Sequence, residues 1–171
     1  IRAMVGREMA DRYPRRTPKI GELLFELRDW RVFHPLDTRR EAVKGVNLQV
    51  RRGEIVGIAG LMGAGRTELA MSVFGRSWGR RISGQAFMAG REVDLSTVPK
   101  AVAAGLAYVT EDRKSLGLVL NESITFNTTL ANLGGVSRRG VIDAGREHAV
   151  ASDYRTRLAT RSSGVQQPVV N

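Results

Sequence analysis

The sequence contains no cysteine. That excludes a disulfide framework, a thiolate metal site and a thiol nucleophile. Its two histidines, His34 and His148, lie far apart and cannot build a zinc centre by themselves. Long apolar runs are missing as well: the longest uncharged apolar stretch, Ile55 to Gly65, is too short and too glycine-rich to span a bilayer. No basic segment followed by an apolar signal core opens the sequence. Lysine is scarce, with only Lys19, Lys44, Lys100 and Lys114 among 27 basic residues, so arginine carries the formal net charge of +10. The arginines are spread from Arg2 to Arg161 rather than massed in one tract, and no groove-reading or base-stacking motif accompanies them. Nucleic acid is therefore not the expected partner.

What is present fits one ordinary domain: 171 residues, 42% hydrophobic and 26% charged. Residues Ile1 to Ile20, with Pro14, Pro18 and Tyr13-Pro14-Arg15-Arg16-Thr17, can bury little and read as a linker, leaving 21–171 as the folded part. Leu23 to Phe33 and Val46 to Val50 interleave apolar and polar residues, as strands with one wet face do, with a loop at His34 to Arg40 between them. Ile55 to Ala59 is apolar on both parities, the pattern of a strand buried on both faces. Ser96 and Pro99 open a short helix closing at Gly105, and Leu106 to Val109 reads as a second buried strand. Strand, helix and strand in this order predict a right-handed crossover and a parallel sheet. Ser123 to Leu133 and Asp143 to Leu158 read as helices, the latter with Val150, Tyr154 and Leu158 at four-residue spacing; Ser162 to Asn171 reads as a loop without a closing element.

The most informative segment is Gly60-Leu61-Met62-Gly63-Ala64-Gly65-Arg66-Thr67, set between the apolar run and the helical pattern Glu68 to Phe74. It matches G-x-x-x-x-G-K-[ST] with arginine in the lysine position. Gly60, Gly63 and Gly65 let the backbone wrap close to oxygen atoms, so that neighbouring N–H groups converge on a phosphate at the positive end of the helix. Thr67 then offers its hydroxyl to Mg²⁺, and Arg66 sets positive charge against terminal phosphates. A guanidinium is a wide planar fork and an ammonium a compact point charge, so the exchange bears more on phosphoryl transfer than on binding.

Taken together, Arg51 to Ala59, the loop from Gly60 to Glu68, and Tyr108-Val109-Thr110-Glu111-Asp112-Arg113-Lys114 with Gly117-Leu118 resemble the second ATP-binding cassette of monosaccharide-importing ABC transporters. The likeness runs to the xylose and multiple-sugar branch, and Met4 to Arg7 with Arg12-Tyr13-Pro14 is similar to the junction after the first cassette of such tandem proteins. The resemblance implies an α/β fold: a P-loop NTPase core with an antiparallel β subdomain and part of a helical subdomain, the latter facing a membrane permease. It implies ATP and Mg²⁺ at Gly60 to Glu68, and adenine against Phe33, next to His34, with Trp30 as the rival ring. Glu111 falls where other cassettes carry the glutamine that touches metal and attacking water. Reading Leu106 to Asp112 as an acid-ended, Mg²⁺-holding strand is rejected, because Thr110 interrupts the apolar run.

The family pattern continues into a Leu-Ser-Gly-Gly signature, a metal-binding aspartate, a catalytic glutamate and a histidine switch, none of which occurs here. The expectation is a truncated cassette, able to bind nucleotide and inactive in hydrolysis by itself, from the ATPase of a monosaccharide import system at the cytoplasmic face of a bacterial membrane. Its implied partners are the permease, the first cassette of the same chain and, indirectly, a periplasmic sugar-binding protein. Two rival readings are a non-hydrolysing nucleotide-binding regulatory or structural module, and a small-molecule kinase with Arg76, Arg80 and Arg81 as lid residues. The kinase leaves Glu111 to Lys114 unexplained.

Overall fold

The computed structural model describes residues 17–170. They divide into two compact units, up to Tyr108 and from Val109 onward. Most of the expected linker, including Met4 to Arg7 and Arg12 to Pro14, lies outside the described residues; 17–20 are exposed.

The first unit is built on a four-stranded antiparallel sheet in the order β2-β1-β3-β4, with β1 Leu23–Phe33, β2 Glu41–Arg51, β3 Arg80–Met88 and β4 Arg91–Glu92. β1 sits between β2 and β3, pairing Leu27 with Leu48 on one side and with Ala86 on the other. A simple alternation from Leu27 would turn Trp30 and Val32 to the opposite face. A bulge prevents it: Asp29 takes a left-handed φ of 46°, and the register shifts between Arg28 and Arg31. Leu27, Trp30 and Val32 are consequently all buried, in one core with Val43, Leu69, Ala86, Leu95 and Ala101. Asn47 Oδ1 accepts from the Asp29 N–H at 2.9 Å, and Gly84 (φ 102°) leaves room where a Cβ would come within 2.5 Å of the Asp29 carbonyl oxygen.

Two helices accompany this sheet, α1 Arg66–Val73 and α2 Val98–Ala103. Thr97 caps α2, with Pro99 in its first turn. The expected strands at Ile55 to Ala59 and Leu106 to Val109 do not form, and neither does the parallel crossover they would make. Apolarity on both parities suits a central strand only when neighbours complete its hydrogen-bond ladder. No extended segment among the described residues pairs with either run, and Ile55 is 91% and Val109 89% exposed.

The second unit holds α3 Ile124–Thr129, a 3-10 segment Leu130–Val136, a two-residue hairpin of β5 Ser137–Arg138 with β6 Val141–Ile142, and α4 Ala144–Arg157. Ser123 and Asp143 cap α3 and α4 through their side chains, as Ser and Asp are suited to do. The helix expected through Leu133 tightens after Thr129, with Asn132 in a non-helical conformation. Buried Thr129 donates to Glu147 Oε1 at 2.7 Å and so joins α3 to α4. The final segment is tied down rather than loose. The Thr125 and Ile124 N–H groups donate to the Val165 and Gln167 carbonyls, Ser123 bridges Pro168, and Val165 is buried. Val150, Tyr154 and Leu158 do not fill a core; they line a groove of about 410 Å³, with Leu158 72% exposed.

Candidate functional site

α1 starts directly from the glycine loop. Its N-cap is Gly65, in the left-handed region at φ 84°, and no side chain caps the first turn. The N–H groups of a helix's first turn have no partner inside the helix, so this end presents uncompensated donors and the positive end of the helix dipole. Gly63 is left-handed too, at φ 78°, and the Ala64 N–H closes a turn on the Leu61 carbonyl at 3.1 Å. Two left-handed glycines flanking one alanine curl the loop into a concavity suited to an anion.

Contacts on either side fix this curl. A Cβ on Gly65 would lie 2.8 Å from the Ala42 carbonyl oxygen, so the loop rests directly on β2. A Cβ on Gly60 would lie 3.0 Å from Ala64 Cβ and 3.6 Å from Arg66 Cδ. Arg66 therefore folds back across the start of the loop with its charge at the mouth. Among the described residues Arg66 makes no ion pair, and Thr67 is exposed. Leu61 and Met62 are 87% and 98% exposed at the loop tip.

The loop is one wall of a cavity of about 810 Å³, lined also by β2, by 56–59 and by the rings of His34 and Trp78. The two rings meet edge to face, with centroids 5.6 Å apart. His34 Nδ1 accepts from the Leu36 and Asp37 N–H groups at 3.2 and 3.1 Å, which fixes the ring and shapes the 34–40 turn. Phe33 does not line this cavity. Trp30 is 2% exposed, with its Nε1–H committed to Ser72, and is a core residue rather than a ring for a ligand. The resemblance points to Phe33, next to His34, whereas the meeting of His34 with Trp78 depends on the 34–40 turn and on the chain beyond α1. The visible signal for His34 was its place before Pro35 in a polar loop, where a ring nitrogen can replace a backbone acceptor.

Glu111 belongs to the second unit, exposed, with its carbonyl accepting from the Arg113 N–H. Asp112 next to it accepts from the Ser115 N–H at 3.0 Å, and this bond, aided by the Ser115 side chain, holds its carboxyl below the ordinary aspartate range. Asp112 thereby caps a single π-turn, Arg113–Gly117. No group of three or more His, Asp or Glu residues able to hold a metal occurs among the described residues. A Mg²⁺ here would be held by the Thr67 hydroxyl and by ligand phosphates, a donor set that suits a hard cation retaining several waters.

A family model described as ABC transporter matches residues 43–169. The L-arabinose transport ATP-binding protein AraG of Geobacillus stearothermophilus is 53% identical over 99% of this chain and 33% of its own length. The xylose import ATP-binding protein XylG of Thermoanaerobacter pseudethanolicus is 37% identical over 100% of this chain and 34% of its own. The ribose import ATP-binding protein RbsA of Bacillus cereus is 39% identical over 99% and 32%. The chain thus spans about a third of the length of the curated relatives it matches. A bacterial Atm1-family ABC exporter solved with ATP bound shares the fold at a TM-score of 0.56 and 22% identity, over 90% of this chain and 25% of that one.

Proposed function

This chain belongs to the ABC transporter family, and from that premise we propose that it is the ATP-binding portion of the ATPase of a monosaccharide import system. The observation that carries the proposal is the Gly60 to Thr67 loop, whose two left-handed glycines lead into a helix start with no side-chain cap, with Arg66 across its mouth. The names of the relatives, arabinose, xylose and ribose transport or import ATP-binding proteins, support the substrate class.

In this reading the loop N–H groups and α1 hold the phosphates of ATP, Arg66 neutralises terminal charge, and Thr67 supplies a ligand to Mg²⁺. Bound Mg²⁺ would add charge neutralisation of the phosphates. The His34 and Trp78 rings offer the nucleobase its apolar surface, a role the resemblance implies for Phe33. Glu111 is proposed to occupy the position of the glutamine that other cassettes carry.

Binding without turnover is proposed for the chain on its own. The acids lining the cavity are Glu41, engaged by Arg31 at 3.0 Å, and Glu68 in the first turn of α1. Hydrolysis needs a positioned water as well as a phosphate cradle. No helix is long and apolar enough to cross a membrane among the described residues. Transport is proposed to run through a separate permease, with this chain at its cytoplasmic side, alongside a first cassette of the same protein and a periplasmic sugar-binding protein.

The two tryptophans make the binding step readable, since Trp78 lines the cavity and Trp30 is buried. Titration with ATP and Mg²⁺ is expected to change the emission of the parent and not that of Trp78→Phe, while calorimetry still detects binding in the latter. Absence of a calorimetric signal in the folded parent would overturn the proposal.

A further inference from the structure

The cavity carries more positive charge than the glycine loop supplies. Arg40 and Lys44 line it together with Arg66, both exposed, and neither makes an ion pair with an acid among the described residues. Their surroundings show that cations here can be neutralised: Arg31, nearby on β1, is held by Asp29 at 2.9 Å and Glu41 at 3.0 Å. Glu41 is thereby occupied, which leaves three cations facing the single acid Glu68.

Their placement is fixed by backbone. The Arg40 carbonyl accepts from the His34 N–H at 2.9 Å, and the Arg40 N–H donates to the Asp37 carbonyl at 3.0 Å, so the arginine is anchored where the 34–40 turn rejoins the sheet. Lys44 follows four residues later on β2. Between them lies Ala42, whose carbonyl oxygen is the atom that Gly65 rests against. Two cations thus flank the point where the phosphate-type loop meets β2.

Resting on the nucleotide-site reading above, we propose that Arg40 and Lys44 are polyphosphate-binding residues of this cavity, reaching the phosphate chain from the residue before β2 and from β2 itself, in addition to Arg66. A tri- or diphosphate gains from several cations, whereas a nucleoside has no charge for them to meet. The site is accordingly a polyphosphate site in which charge at the start of β2 adds to the P-loop arginine.

The test uses the full chain with Arg40→Gln, Lys44→Gln and the double variant, titrated with ATP and Mg²⁺, with inorganic tripolyphosphate, and with adenosine. Each single variant is expected to weaken ATP and tripolyphosphate by about fivefold, with the double variant weaker than either. Adenosine binding and the melting temperature without ligand are expected to stay unchanged. The charge-retaining Arg40→Lys and Lys44→Arg variants should recover most of the affinity. A double variant within about twofold of the parent for ATP overturns the inference while leaving the nucleotide site standing. Equal losses for ATP and adenosine, or a fall in melting temperature that accounts for the loss, overturn it in favour of a packing role. A folded parent that binds neither ATP nor tripolyphosphate overturns the nucleotide site itself.

Discussion

The indole Nε1–H of Trp30 donates to Ser72 Oγ at 3.0 Å, with both residues buried, and joins the central strand of the sheet to the helix that follows the glycine loop. Ser72 Oγ in turn donates to the Leu69 carbonyl at 2.7 Å, so its single proton and its acceptor are both used. Because Leu69 and Ser72 stand on the face of α1 turned to the core, this pair fixes the helix whose first turn forms the candidate site.

Ser72→Ala leaves the Trp30 N–H buried without an acceptor and is expected to cost about 1–3 kcal/mol. Trp30→Phe removes the donor and core volume together and is expected to cost about 2–4 kcal/mol. The double variant should cost less than the sum of the two, since the unmet donor that makes Ser72→Ala expensive is already gone. Denaturant unfolding of the four proteins gives the coupling; strict additivity would show that the bond contributes nothing of its own.

Gly65 and Gly63 separate backbone strain from contact. Both are left-handed, at φ 84° and 78°, but a Cβ on Gly65 would press on the Ala42 oxygen at 2.8 Å, while one on Gly63 would meet nothing within 4 Å. Gly63→Ala is expected to cost about 1 kcal/mol, the ordinary penalty for an L-residue in this conformation. Gly65→Ala should cost clearly more and also weaken nucleotide binding, because the loop must lift from β2. Equal costs in unfolding curves would show that the loop does not bear on β2.

How much of this was legible in the sequence differs element by element. β1 was readable because Leu23 to Phe33 interleaves apolar and polar residues along its length, yet the switch of parity at Asp29 was not, since a bulge depends on what Gly84 and Asn47 do across the sheet. β3 carries Arg80, Arg81, Ser83, Gly84 and Gln85, polar residues that hide a strand until β1 pairs with it. The glycine loop and the helix starts at Ser123 and Asp143 were readable because their chemistry is local. Ile55 to Ala59 failed in the opposite sense: its composition suits a central strand, but strand formation belongs to the pair and not to the segment. The same locality explains the site, where the loop was visible and His34 stood out only as the neighbour of Phe33, while its pairing with the Trp78 ring, made by the turn and by packing, was not visible.

Asp94, ahead of α2, forms a local charge cluster with Lys100 on that helix. The Lys100 ammonium donates to it at 2.6 Å and, with the Ser96 hydroxyl and N–H, holds its carboxyl far below the ordinary range. A carboxyl whose pKa is depressed on folding stabilises the fold above its unfolded value, near about 4, and loses that contribution as pH falls towards the depressed value. The melting-temperature difference between the parent and Asp94→Asn is therefore expected to be constant from about pH 7 to 5 and to shrink below about pH 4. The group is solvent-exposed, so the difference is small and should fade with added salt. A difference that grows on acidification would contradict the assignment.

Arg66 provides the sharpest division between a ligand contact and a structural tether. As a tether it would pair with a neighbouring acid such as Glu68, and its removal would lower the melting temperature of the ligand-free protein. The described residues hold no such pair; the side chain instead lies across Gly60, with Cδ 3.6 Å and Nε 3.8 Å from where that glycine's Cβ would stand. Charge held at the loop mouth with no internal partner has its energetic consequence only when an anion arrives. Arg66→Ala is thus expected to leave the ligand-free melting temperature nearly unchanged and to weaken ATP binding by about ten- to hundredfold, the equivalent of roughly 1.5–3 kcal/mol for a charge-assisted contact. Arg66→Lys keeps the charge and surrenders only the planar fork, so most of the affinity should remain. Calorimetric titration of ATP into the three proteins, beside melting curves without nucleotide, distinguishes the outcomes. An unchanged ATP affinity in Arg66→Ala with a lowered melting temperature would assign the arginine to the loop's own architecture and leave the phosphates to the backbone N–H groups and the end of α1.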